Sequence, residues 1–162
     1  MTFTAYAWFP QMLINTDARN LAELQCNAQL AAKDLGEALN LSASQAGRRR
    51  LRLEAGCYII GYTARLDPVR IGLNVPAFVQ VQMATHSPEA VRSFASLIST
   101  RTEVKSAWTL TGEADYLLRV CCSDLPALNL LIHQVLLPHP AVARAQSQIV
   151  MDQFKAEAPL PT

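Results

Sequence analysis

Apolar positions recur at helical spacing through the first third of the chain and at strand spacing beyond it. Asn15-Thr16-Asp17 supplies capping residues for a helix running to about residue 25. Leu30, Leu35, Ala38 and Leu39 share one helical face and predict a second helix over 31–39. Asn40-Leu41 interrupts it. Ser42 is a good N-cap for a third helix over 43–55, with Gly56 as its stop. Two short helices joined by a tight turn, the second of them basic, have the layout of a helix-turn-helix.

After Gly56 the period becomes strand-like. Residues 57–64 are rich in aromatic and β-branched side chains and predict a strand, which Leu66-Asp67-Pro68 ends with turn chemistry. A domain boundary is expected there, dividing the chain into 1–66 and 67–162. The later pattern reads strand 77–83, helix 88–99, strand 104–111, turn 112–114, strand 115–122, helix 124–137 and strand 142–151. This order, βαββαβ, predicts an α+β fold whose second domain is a ferredoxin-like sandwich with helices on one face of an antiparallel sheet. Ala77, Val79, Val81 and Met83 alternate with Phe78, Gln80 and Gln82, and Leu118 and Val120 alternate with Leu117 and Arg119. Both sheet faces therefore hold apolar residues while helices cover only one, so a dimer through the open face is expected.

Composition narrows the class. At 162 residues, 51% of them hydrophobic and 17% charged, the chain buries enough apolar surface to exclude intrinsic disorder. No run approaches the roughly 18 apolar residues of a membrane span, and the aromatic-rich lead over 1–12 has no basic segment before it, so neither a span nor a secretory signal is expected. Cys26, Cys57, Cys121 and Cys122 have no CxxC spacing, and His86, His133 and His139 are scattered. A reducing cytoplasm is the easier reading, and no metal or cofactor is expected. There is also no phosphate loop, nucleophile elbow or carboxylate pair at ligand spacing, so no enzyme is expected.

Net charge is only +1, but residues 1–66 carry seven basic side chains against five acidic, and four of the seven fall within 48–52. On a helix, Ser44 or Gln45 shares a face with Arg48, Arg49 and Arg52, opposite Ala46 and Leu53. Arginine can bond guanine bidentately, glutamine can read adenine, and a serine near the helix start can reach phosphate. The competing reading is a solvated helix whose arginines answer its C-terminal dipole. Arg50 falls near the inward stripe, so it must snorkel to the rim or meet an acid such as Glu23 or Glu37. The second constellation is the hairpin Thr111-Gly112-Glu113-Ala114-Asp115-Tyr116. It reads either as a well-made turn or as the rim of a pocket for a small zwitterion, and local sequence leaves both open.

Leu24-Gln25, Leu35, Leu41-Ser42-Ala43-Ser44, Arg48-Arg49, Arg52-Leu53-Glu54, Ile59, Gly61-Tyr62 and Leu66-Asp67-Pro68, followed by Ile71-Gly72, Phe78-Val79, the 111–116 turn and Val142-Ala143-Arg144, resemble the Lrp/AsnC family of leucine- and asparagine-responsive regulators. The resemblance covers roughly residues 17–155. It implies an N-terminal winged helix-turn-helix that binds double-stranded DNA and a C-terminal domain that dimerises and senses an amino-acid effector, dimers joining further into octamers. By position in the motifs, Ser42, Ser44, Gln45, Arg48, Arg49 and Arg52 match the DNA-contacting helix. Thr111, Gly112, Ala114, Asp115 and Tyr116 match the effector turn, with Ser147 on the last strand beside them. The chain departs from the family pattern at Asn20, where an aliphatic is usual, at Ala28-Gln29 in place of Gly-Arg, and at Cys57, which stands at the usual helix-ending glycine with Gly56 one residue early. A sequence-specific transcription regulator is the function expected, the rival being a ligand-binding oligomeric sensor that has lost useful DNA affinity.

Overall fold

The computed structural model describes residues 14–162, so the aromatic lead over 1–12 lies outside the described residues. Two compact units are formed, Met1–Ala64 together with Lys155–Thr162, and Arg65–Phe154.

The first unit contains α1 (Asn15–Cys26), α2 (Ala32–Leu39) and α3 (Ala43–Ala55). Leu24, Leu35, Leu39 and Ala46 are buried together, with Leu30, Leu41 and Ile59 packed against them. The turn between α2 and α3 is tight for a steric reason. Asn40 takes the left-handed conformation at φ 57°, Leu41 N–H donates back to Gly36 O at 2.8 Å, and a Cβ on Gly36 would stand 2.8 Å from Leu41 O. Only glycine admits this approach. α3 begins in a reciprocal cap in which Gln45 N–H donates to Ser42 Oγ while Ser42 N–H donates to Gln45 Oε1. Residues 155–162 return to this unit, where Gln25 brackets the main chain of Leu160: Nε2 donates to its carbonyl at 3.0 Å and Oε1 accepts its N–H at 2.6 Å.

The strand expected over 57–64 is not formed. Tyr58 N–H and Ile59 N–H both donate to Leu53 O, which folds the segment back on the end of α3, and residues 60–64 run on without a partner strand. β-propensity needs a ladder to express itself, and none is offered there. Cys57 takes φ 56°, the left-handed conformation that a helix-ending glycine would adopt without strain.

The second unit is α+β, with β1 (Val75–Met83), α4 (Pro88–Ser99), β2 (Val104–Thr109), β3 (Tyr116–Cys122), α5 (Leu125–Leu130, continuing as π-helical turns over Leu131–Leu136) and β4 (Val142–Ile149). The strands form one antiparallel sheet in the order β2-β3-β1-β4, the ferredoxin-like arrangement. Ala77, Val79, Val81, Met83, Leu118 and Val120 pack beneath Phe94, Ile98, Leu128, Leu131 and Leu136 of the helices. On the other face no described helix lies over Phe78, Gln80, Trp108, Leu117 and Gln146, and Trp108 is 45% exposed.

Candidate functional sites

The first site is the outer surface of α3. Gln45, Arg48, Arg49 and Arg52, with Leu41 from the preceding turn, line one open groove of about 470 Å³. Ser42 and Ser44 stand at its helix-start end, their hydroxyls 3.2 Å apart. The cap occupies Ser42 Oγ and the side-chain carbonyl of Gln45. Arg48 is exposed. Arg49 and Arg52, by contrast, converge on one residue of α1: Arg49 donates to Asp17 Oδ1 at 2.9 Å and Arg52 to Asp17 Oδ2 at 2.5 Å. The Asp17 side chain is only 7% exposed, so two charge-assisted bonds anchor α3 to α1 through a nearly buried carboxylate.

Arg50 meets neither Glu23 nor Glu37. Its acid is Glu54, one turn on along α3, where Nε donates to Oε1 at 3.1 Å. The guanidinium lies 4.8 Å from the centre of the Tyr62 ring, Nε also donates to the Tyr62 hydroxyl, and a terminal nitrogen donates to Leu30 O at 3.2 Å. Tyr62 completes the triangle by donating to Glu54 Oε1 at 2.7 Å. The bonds from Tyr62 and then Arg50 hold the Glu54 carboxyl below its usual range. Arg50 thus ties the α1–α2 loop and the segment after α3 to the helix itself, a task usually given to an aliphatic side chain.

The second site lies at the 111–116 turn. Leu110 N–H donates to Asp115 O and closes the hairpin, with Gly112 at φ 134°. A cleft of about 50 Å³ opens on the uncovered sheet face, lined by Gln80 and Gln82 of β1, Glu113 and Ala114 of the turn, and Arg144 and Gln146 of β4. Gln80 pairs across from Gln146 and Gln82 from Arg144 in the sheet register, which is why these four side chains share a face. Arg144 lies 3.9 Å from Glu113. Opposite charges flanked by amides suit a zwitterion. The volume is that of one or two waters, so this protomer alone does not enclose an amino acid.

The expected effector residues are not gathered here. Only Ala114 lines the cleft, and Thr111 and Gly112 are exposed at the turn. Asp115 is committed elsewhere, one oxygen 2.7 Å from His86 Nε2 and the other accepting Met83 N–H at 2.7 Å. These bonds, His86 first, hold its carboxyl below the usual range. Tyr116 packs on Phe94, ring centres 5.1 Å apart, and Ser147 pairs across from Val79, so both belong to the helix-covered face. Gln80, Gln82, Arg144 and Gln146, which line the cleft, are not among the residues expected from the sequence. Their signal was the polar half of the strand alternation.

A four-stranded βαββαβ sensor-like domain attached to a capped basic helix defines a ligand-responsive regulator class, and comparison with known proteins places the chain within it. Residues 76–160 match the Lrp/AsnC ligand binding domain, and the chain belongs to the Lrp/AsnC family. It is similar to the DNA-binding transcriptional activator DecR of Escherichia coli (strain K12), 34% identical over 150 residues that cover 93% of this chain and 99% of that one. It is 33% identical to the Bkd operon transcriptional regulator of Pseudomonas aeruginosa, covering 83% and 88% of the two chains. Among solved structures, transcriptional regulator NMB0573 of Neisseria meningitidis, in complex with L-Met, superposes with a TM-score of 0.88 at 35% identity, covering 92% of this chain and 96% of that one.

Proposed function

We propose that this protein is a sequence-specific DNA-binding transcription regulator whose DNA binding or assembly responds to an amino acid or related small metabolite. The observation that carries the reading is the α2–turn–α3 unit, a helix-turn-helix whose second helix presents Gln45, Arg48, Arg49 and Arg52 in one open groove, with Ser44 exposed at the helix start. The names of its relatives support it, since DecR and the Bkd regulator are transcription regulators and NMB0573 was solved with L-Met. The helical unit, up to Ala64 and with Lys155–Thr162, serves DNA binding, and Arg65–Phe154 serve effector binding and oligomerisation; the expected division into 1–66 and 67–162 is corrected at its far end, because residues 155–162 return to the helices. No wing strand follows α3 among the described residues; the segment folded on Leu53 O and held by Tyr62 takes that place.

Effector recognition centres on the 111–116 turn and the neighbouring glutamine-lined cleft. Asp115 acts by fixing the turn to β1 and His86, Arg144 and Glu113 meet the carboxylate and ammonium, and a second copy completes the enclosure from across the open sheet face. Dimers formed there assemble into octamers in the cytoplasm. No catalytic step is assigned to the chain.

The test is a titration of the duplex upstream of the protein's own gene across salt, with and without L-Met, L-Leu and a panel of other amino acids. A steep negative slope of log K on log salt, shifted by at least one amino acid, is expected. Absence of binding at low salt would favour a sensor that no longer acts on DNA.

A further inference from the structure

The arginines of α3 are not equivalent. Arg49 and Arg52 share the two oxygens of Asp17, and Arg50 is taken by Glu54, Tyr62 and Leu30 O. Arg48 is exposed and forms no ion pair or side-chain hydrogen bond with any described residue. We propose that Asp17 restrains the sequence-independent affinity of the DNA surface: it withholds Arg49 and Arg52 from phosphate contact and leaves base contacts to Arg48, Gln45 and Ser44. This rests on the DNA-binding reading above.

The physical basis is the burial of the carboxylate. Each guanidinium that leaves Asp17 for a phosphate gives up a charge-assisted bond to a carboxylate whose side chain is 7% exposed, and departure of both strands a buried charge, which is strongly disfavoured. Random phosphates, each offering a single exchangeable contact, do not offset that. Asp17 also cancels one of the two positive charges beside Arg48, which weakens long-range attraction to any duplex. A base edge held bidentately by Arg48 is unaffected, because Arg48 owes nothing to Asp17.

The size of the effect follows from counterion release. Each added phosphate contact steepens the slope of log K on log salt by about 0.9, and at 0.1 M salt is worth roughly eightfold in affinity. Asp17→Asn releases two guanidiniums. It is therefore expected to bind a random-sequence duplex at least roughly tenfold tighter at 0.1 M salt, with a slope steeper by about 1 to 2. Asp17→Glu keeps the charge and is expected to keep the parental slope. Fluorescence anisotropy on both duplexes reads these values, with thermal melting of each variant in parallel. An Asp17→Asn protein that melts cooperatively yet keeps the parental slope and the parental affinity for the random duplex would overturn the proposal.

A second measurement needs no substitution at Asp17. In side-chain nitrogen spectra of the parent titrated with the random duplex, the Arg48 guanidinium is expected to shift while Arg49 and Arg52 stay at their free-protein positions. Equal movement of all three would refute withholding. If the parent binds neither duplex at low salt, the DNA-binding reading itself fails and this inference with it, an outcome distinct from a parent that binds with Arg49 and Arg52 already on phosphate.

Discussion

Replacing Asn20 with leucine isolates the cost of a polar group placed where α1 should present an aliphatic one. Asn20 has 0% exposure, and neither its side-chain oxygen nor its nitrogen has a hydrogen-bond partner among the described residues. Its next-turn neighbour on the same face is the buried Leu24. An unsatisfied buried amide costs about 1–3 kcal/mol. Leucine removes that cost and gains about 0.5 kcal/mol in helix propensity, while its extra bulk gives back up to about 1 kcal/mol through local overpacking. The net expectation is a gain of about 1–2 kcal/mol. In a unit of this size it raises the midpoint of helix unfolding by about 5–15 °C, read by far-ultraviolet circular dichroism. Asn20→Ala removes the same polar atoms but leaves a void, and should fall below the leucine variant by about 2 kcal/mol. An unchanged or lowered midpoint for Asn20→Leu would show that the amide is paired in solution, and the argument from burial would fail.

Three further outcomes are expected. Gly36→Ala should lose about 2 kcal/mol or more in urea unfolding, because its Cβ meets the Leu41 carbonyl at 2.8 Å inside the tight turn; a loss below about 0.5 kcal/mol would show that the turn yields freely. Cys57→Gly should gain about 0.5–1 kcal/mol by relieving a left-handed residue at φ 56°, and a destabilised variant would mean that its thiol makes a contact worth more than the strain. The Asp115 carboxyl is held low by His86 and Met83 N–H, so its contribution is full above the unfolded carboxyl value of about 3.9 and is lost as pH falls through the lower native one. Asp115→Asn should therefore be less stable than the parent by an amount that disappears as pH falls through the native carboxyl value; a gap that persists in strong acid would contradict the assignment.

The helix boundaries were legible because they are written in local chemistry. Ser42 with Gln45 three residues on is a capping pair at sequence range, and the Pro88–Ser99 helix opens on Ser87 and Pro88 in the same way. The βαββαβ order followed from the change between strand and helix periods along the chain. Partnerships between distant elements were not legible. Asp17 lies 32 and 35 residues from the arginines it holds, and nothing in its neighbourhood signals that α1 will present it there. Arg50 was rightly read as misplaced on an apolar stripe, but its partner proved to be its own i+4 residue, reinforced by a tyrosine beyond the helix end. The face of Ser147 was not legible, because it depends on which strand it joins and in what register, and β1 and β4 shift register between Gln82 and Met83. The 57–64 run carried the composition of a strand, but composition is blind to whether an edge is available for it.

The bracket that Gln25 places on Leu160 has a consequence for synthesis. The unit that carries α1, α2 and α3 is discontinuous in the chain, since residues 155–162 belong to it while 65–154 form the other. During translation the three helices emerge first, yet Gln25 has no main chain to grip until the whole sheet unit has left the ribosome. The helical unit is therefore finished only after the sheet unit has been made, and a nascent chain stalled before residue 155 would carry its helices without their final tether.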